Sequence, residues 1–352
     1  MRVLIDTSFA ERGPSGTAVY VTELVRALRE RGEVEVIAAP ERRRPRPGRA
    51  GRRANPLRSA ANALLDAIWV RWTLPRAARR AGADLLHHPL PAYSPSASCA
   101  QVVTVHDVAF ERLPGDFNPA WRRYARRSHR RALRRADAVV CVSQATARDA
   151  VELLGAREEI VVVAPHGPGQ SLPTVPTVSR PADAEHYFLY LGDAEPRKGV
   201  SALLEAYAAY YAEAGEPAAL VLAGSSAELA SAAQTGVRAE HAPEAARVAE
   251  LLAGARALVH PSRHEGFGLT LLEAMAAGTP VLAVRNPAVE EVCAGAALVV
   301  EPDGLASALA RATNEPALLD ELALRGRERA RAFSWDRCAA LHERAYTLAL
   351  DD

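Results

Sequence analysis

Residues 257–284 constrain the fold most. Ala257–His260 is a short buried-type run, Thr270–Ala277 is an apolar, Ala-rich stretch that stops at Gly278, and Pro280–Val284 is apolar again. The pattern is strand, glycine-bearing turn, helix, strand. The first N–H groups of a helix lack internal acceptors, and the helix dipole adds partial positive charge there. Gly266 and Gly268 carry no Cβ, so a ligand can approach the backbone closely. The junction is therefore suited to hold a phosphate or diphosphate. Glu265 and Glu273 bracket it with seven residues between them and add acceptors for hydroxyl groups. Diphosphate, sugar and ribose together make a nucleotide sugar. A helix-capping carboxylate would explain Glu273 alone, but Glu265 precedes two glycines in a turn.

The same alternation runs along the whole chain. Val3–Ile5, Val34–Ala38, Asp84–His88, Val102–His106, Ala138–Ser143 and Ile160–Ala164 read as strands, with helices over Thr17–Arg31 and Trp121–Ala136. His186–Leu191 and Ala219–Ala223 are further strands, Leu203–Tyr211 is a helix, and Trp335–Ala349 is a last helix. Strands alternating with helices imply parallel sheets covered on both faces. At 352 residues the chain exceeds one ordinary core, so two domains are expected. The first spans 1–167 and takes in the last helix, about 335–352. A proline-rich linker covers 168–185, and the second domain spans 186–334. Arg42–Arg58, rich in Arg, Pro and Gly, reads as a surface loop.

Net charge is +1, yet residues 1–180 carry 29 basic and 17 acidic side chains, a balance of +12, and the remainder a balance of −11. The first half should attract anionic partners. Within Trp121–Asp137, arginines recur at 122/123, 126/127, 130/131 and 134/135, near one helix face. Such a face suits anionic lipid headgroups or a phosphorylated acceptor, and equally a plain solvated surface. No interleaved aromatic spacing favours nucleic acid. The four cysteines lie far apart without a C-x-x-C pair, which fits a reduced, cytoplasmic setting, with peripheral attachment to the inner membrane face as an extension. The chain starts directly on a strand, so no signal peptide is read, and Leu64–Leu74 is too short and charged to span a bilayer. Nothing in the pattern bears on oligomeric state.

Two further sites sit at strand ends. Gly192–Gly199, G-D-A-E-P-R-K-G, follows a strand and precedes a helix, which places Arg197 and Lys198 where open α/β sheets bind ligands. Lys198 is the only lysine among 43 basic residues, and a compact ammonium beside Arg197 suits a departing diphosphate. His106-Asp107 ends another strand, where an imidazole can donate to a sugar hydroxyl or an emerging oxyanion. No D-x-D pair, H-E-x-x-H or G-x-x-x-x-G-K-[ST] pattern occurs, so no metal or other cofactor is expected.

Taken in order, the Gly13–Gly16 loop, His106-Asp107, Pro196-Arg197-Lys198-Gly199, the E-x7-E segment and Phe333-Ser-Trp335 resemble the retaining glycosyltransferases of family four. The resemblance implies the GT-B fold: α/β, two Rossmann-like domains with parallel sheets facing a central cleft, and a C-terminal helix crossing back to the first domain. It implies a metal-independent hexosyltransferase that moves a sugar from a UDP- or GDP-sugar to a glycan, lipid or natural-product acceptor. Arg197, Lys198, His106 and Glu265 would serve catalysis. Gly16, Gly192, Gly266, Phe267, Gly268, Leu269, Thr270 and Glu273 would hold the donor, with Arg238 and His241 bordering the nucleobase. Asp193 stands where many relatives carry Arg, and Pro165-His166-Gly167 replaces the common P-N-G. A sugar-nucleotide 2-epimerase and a non-catalytic nucleotide-sugar-binding subunit are the alternatives; the first would need further acid–base carboxylates near the sugar.

Overall fold

The computed structural model describes residues 1–12, 15–40, 64–169, 187–232 and 234–351. The Arg42–Arg58 stretch, Gly13 and nearly all of the 168–185 linker lie outside them. The chain divides into two compact units, Met1–Gly167 with Ser334–Asp352, and Pro168–Phe333.

The first unit is a six-stranded parallel sheet of β1 (Arg2–Ile5), β2 (Glu35–Ala38), β3 (Leu85–His88), β4 (Ala100–Val105), β5 (Ala138–Cys141) and β6 (Val161–Val163), in the order β2-β1-β3-β4-β5-β6. Its central strands are Val- and Leu-rich because helices cover both faces. The helix Gly16–Arg31 starts at Ser15, whose hydroxyl accepts from the Ala18 N–H at 3.2 Å, and ends at Gly32 with φ 71°. Such a serine cap contributes roughly 1 kcal/mol. The last helix, Trp335–Leu348, is capped by Ser334 and buries Trp335, Cys338, Ala339, Ala345 and Tyr346 in the core shared with Tyr20, Leu24 and Leu28. The C-terminal helix thus returns to the first unit.

A buried polar chain fixes that helix. His342 Nδ1 donates to the Cys338 carbonyl at 2.8 Å, so its Nε2 must accept, and it does so from the Tyr20 hydroxyl at 2.8 Å. Tyr20 in turn accepts from Thr104 Oγ1 at 2.8 Å, Thr104 from His87 Nε2 at 2.9 Å, and His87 Nδ1 from the Tyr346 hydroxyl at 2.9 Å. One carbonyl at the end of the series sets every proton, since a neutral imidazole has one donor and one acceptor. Burial holds both imidazoles below the usual histidine range, His342 at about 4.

The second unit is also a six-stranded parallel sheet: β7 (Tyr187–Leu191), β8 (Ala219–Gly224), β9 (Val237–His241), β10 (Ala257–His260), β11 (Val281–Val284) and β12 (Leu298–Val300), in the order β12-β11-β10-β7-β8-β9. The order reverses between β7 and β10. The carboxyl ends of the strands at such a reversal are the usual ligand position in open α/β sheets. β9, V-R-A-E-H, escaped the sequence reading as a strand; it is a polar edge strand held by its register with β8.

Candidate active site

The loops after β7 and β10 meet at this reversal point. After β7 the chain makes a tight turn over Pro196–Lys198 and passes through Gly199 at φ 70°. A Cβ on Gly199 would lie 2.2 Å from the Pro261 carbonyl, so only glycine lets the two loops approach this closely. The Arg263 N–H donates to the Arg197 carbonyl at 2.9 Å and closes the junction. Lys198 and Glu265, 67 residues apart, are thereby paired: Lys198 Nζ donates to Glu265 Oε1 at 2.7 Å. Arg197 stands 3.8 Å from Glu265 Oε2 and donates to Glu195 at 2.9 Å.

Glu265 is 8% exposed. Burial alone would raise its carboxyl, but Lys198, His260 and Arg197 outweigh that and hold it well below the usual carboxylate range. Gly268, at φ 94°, begins the helix Leu269–Ala277, and its carbonyl accepts from the Leu271 and Leu272 N–H groups at 3.0 and 3.3 Å. The N–H groups of Leu269 and Thr270 precede the first of these bonds, and a helix leaves its first N–H groups without an internal acceptor. Glu273, one turn on, is partly buried, with its carboxyl pushed up to about 7 by burial. The backbone of Gly169 lies against it: a Cβ there would fall 1.7 Å from Glu273 Oε1.

Other site candidates have different surroundings. Phe267 is buried edge-on against Phe333, so its side chain packs in the core. Gly192, at φ 148°, follows β7 directly, and its carbonyl passes within 2.0 Å of where a Cβ on Gly224 would be. Arg238 and His241 are exposed on the edge strand β9, beyond β8. Gly16 and His106 belong to the first unit, Gly16 in the first turn of its helix. His106 Nε2 donates to the Pro89 carbonyl at 3.0 Å, and burial lowers its pKa to about 4. The neutral ring therefore offers Nδ1 as an acceptor, the reverse of the donor role expected from the sequence.

Residues 175–333 match the family described as Glycosyl transferases group 1, and residues 14–167 match Glycosyltransferase Family 4. The chain is 28% identical over 318 residues to O-antigen chain mannosyltransferase B of Escherichia coli, covering 84% of this chain and 81% of that one. It is 31% identical over 256 residues to the D-inositol 3-phosphate glycosyltransferase of Kineococcus radiotolerans, covering 62% and 58%. Among solved structures, sucrose-phosphate synthase from Thermosynechococcus elongatus superposes with a TM-score of 0.77 at 20% identity, over 99% of this chain and 98% of that one. WaaG, a glycosyltransferase involved in lipopolysaccharide biosynthesis, gives 0.71 at 18% identity, over 99% of both. The chain is a GT-B glycosyltransferase.

In this glycosyltransferase Asp193 serves the fold. Its Oδ1 accepts from Ser225 N, Ser225 Oγ and Ser226 N at 2.7, 2.8 and 3.0 Å, and so ties the loop after β7 to the loop after β8. His166 stacks on Trp335 at 5.4 Å, and a Cβ on Gly167 would lie 2.5 Å from Trp335 N. The unusual P-H-G turn is thus fitted to the closing helix. The sequence reading missed His260 and Gly169. His260 carried a visible signal, a polar residue ending an otherwise apolar strand, as His106 does. Gly169 carried none, since its contact with Glu273 spans more than a hundred residues.

Proposed function

We propose that this GT-B glycosyltransferase is a retaining, metal-independent member of family four. Its donor is a nucleotide-diphosphate sugar. The observation that carries the reading is the convergence of Lys198, Glu265 and the Leu269–Thr270 N–H groups on one strand-order reversal. Lys198 and Arg197 bind the diphosphate and stabilise it as it leaves, while the N–H groups of Gly268, Leu269 and Thr270 take the distal phosphate. Glu265 accepts from donor sugar hydroxyls and Glu273 from the ribose. Within the first unit, the neutral His106 ring offers Nδ1 as an acceptor for a substrate hydroxyl. Arg238 and His241 border the base. With fixed cations on the leaving group, the released phosphate oxygen takes the acceptor's proton on the same face of the sugar. Among the described residues no group of three or more His, Cys, Asp or Glu is placed to hold a metal ion.

The Escherichia coli relative is named a mannosyltransferase, so GDP-mannose is the first donor to try, followed by UDP-sugars. Purified protein is incubated with donor and candidate acceptors in EDTA, and the product's anomeric configuration is read by NMR. Retention without added metal is expected. Inversion, strict metal dependence, or a donor epimer formed without acceptor each overturns the reading.

Glu273 makes donor binding pH-dependent. An ionised carboxylate is needed to accept from two ribose hydroxyls, and binding lowers its pKa. A carboxyl at about 7 in the free protein therefore loses affinity as pH falls. GDP is expected to bind roughly tenfold more weakly at pH 6 than at pH 8. Calorimetry on wild type and Glu273→Gln checks this: the variant binds weakly at both pH values, with no such slope.

We assign the acceptor side to the first unit, with peripheral attachment to an anionic membrane face. The helix Pro119–Arg135 exposes Arg123, Arg127, Arg130, Arg131, Arg134 and Arg135 on one side, together with Tyr124 at 68% and Trp121 at 49% exposure. No helix among the described residues is long and apolar enough to cross a membrane. Each arginine near an anionic surface contributes about 1 kcal/mol. Replacing Arg127 and Arg131 by Ala should weaken binding to phosphatidylserine-containing vesicles by roughly thirtyfold. Flotation against pure phosphatidylcholine vesicles checks it; equal binding of both proteins to both vesicles removes the assignment.

A further inference from the structure

Resting on the donor reading above, the geometry points to His260 as a positioning residue that holds Glu265 and Thr270 in register with one another. His260 ends β10, and its side chain is only 5% exposed. Nε2 lies 3.2 Å from Glu265 Oε1, the oxygen that already accepts from Lys198. Nδ1 lies 3.4 Å from Thr270 Oγ1. The imidazole thus stands between the acidic loop and the first turn of the phosphate-facing helix. A carboxylate only accepts, so the proton belongs on Nε2, and Nδ1 is left to accept from the Thr270 hydroxyl. Nε2 is close to the carboxylate without being aligned as a full hydrogen bond, a geometry that tightens when substrate loads the carboxylate.

The chemical need for such a group follows from the Lys198–Glu265 pair. A diphosphate competes with Glu265 for the ammonium. Once Lys198 turns toward phosphate, a buried carboxylate facing sugar hydroxyls needs another fixed donor to keep it ionised and aimed. Of the groups around Glu265, Arg197 stands off at 3.8 Å, and Tyr190 hydrogen-bonds through its hydroxyl to the Asp193 carbonyl. His260 is the neighbour that faces the same oxygen as Lys198. Thr270 would meet the phosphate through its backbone N–H, which the helix itself fixes, so losing the 3.4 Å contact at its hydroxyl should change nucleotide binding little, and the main effect should fall on Glu265 and recognition of the sugar.

Four variants test this: His260→Leu, which removes both nitrogens; His260→Gln, which restores an N–H at the Nε2 reach; Glu265→Gln; and Glu265→Gln combined with His260→Leu. Calorimetry compares GDP with GDP-mannose, and kinetics compares kcat with KM. For His260→Leu, GDP affinity should stay within about twofold while kcat/KM for GDP-mannose falls at least about tenfold. His260→Gln should recover most of that loss. In the Glu265→Gln background, His260→Leu should add nothing further. Equal loss of GDP and GDP-mannose binding, no rescue by Gln, or additive effects in the double variant overturns the positioning role. So does a wild type that binds GDP and GDP-mannose equally, because Glu265 then makes no sugar contact. Wild-type protein that discriminates between the two ligands but transfers no sugar overturns the proposed function, while the calorimetry still judges His260.

Discussion

Lys198→Ala should lower kcat by at least about a hundredfold while the second unit stays folded. Removing one preorganised donor to a developing negative charge typically costs about 3–4 kcal/mol of barrier. Lys198 is suited to be that donor: it lies on a turn locked by Gly199 against Pro261, and its ammonium is already fixed by Glu265 at 2.7 Å. Its charge is worth more when bond breaking loads the diphosphate than in the ground state, so the loss should appear in kcat more than in KM. Arg197 cannot replace it, since its guanidinium reaches toward Glu195 and stands 3.8 Å from Glu265. Lys198→Arg should recover little, because a planar fork does not fill the place of a compact ammonium. Released nucleoside diphosphate gives the rate, and circular dichroism melting verifies the fold. A kcat within threefold of wild type, in a folded variant, would remove Lys198 from the chemistry.

The architecture was legible because apolar strands and glycine-ended helices are local patterns. β7, β10 and the helix Leu269–Ala277 follow directly from runs such as A-L-V-H and L-T-L-L-E-A-M-A-A. The edge strand β9 was not, since its alternating R-x-E pattern becomes a strand only when β8 supplies hydrogen-bond partners. Lys198, Glu265 and Glu273 could be singled out as candidates for a similar reason: they flank glycines at strand-to-helix junctions. Their mutual geometry was not. That Lys198 pairs with Glu265 depends on strand order, which sets β10 beside β7 although β8 and β9 intervene in sequence. The direction of hydrogen bonding at His106 was hidden too, because it is set by the Pro89 carbonyl, seventeen residues away.

The first unit should lose stability steeply on mild acidification. His342 carries a folded pKa of about 4 against about 6.5 in an unfolded chain, and His87 and His166 are also held low, all by burial first. Between those two values the unfolded state binds the proton and the folded state does not. Stability contributed by each neutral imidazole is therefore complete above pH 6.5 and is lost as pH falls from there toward 4. For His342 alone the loss between pH 6.5 and 5 is about 2 kcal/mol, and His87 adds to it. The mechanism is visible in the proton order: a protonated His342 would present Nε2–H to the Tyr20 hydroxyl proton, and every bond back to Tyr346 would have to reverse. Tyr20→Phe cuts the same chain at pH 7, leaving His342 Nε2 and Thr104 Oγ1 each short of a buried partner, at a cost of roughly 2–4 kcal/mol. All four tryptophans, Trp69, Trp72, Trp121 and Trp335, belong to the first unit, so tryptophan fluorescence in urea follows its unfolding separately from the second unit. The unfolding free energy measured this way should fall by at least about 2 kcal/mol from pH 7 to pH 5. A change below about 1 kcal/mol would mean that the imidazoles are already protonated in the fold, and the proton order drawn from the Cys338 carbonyl would be wrong.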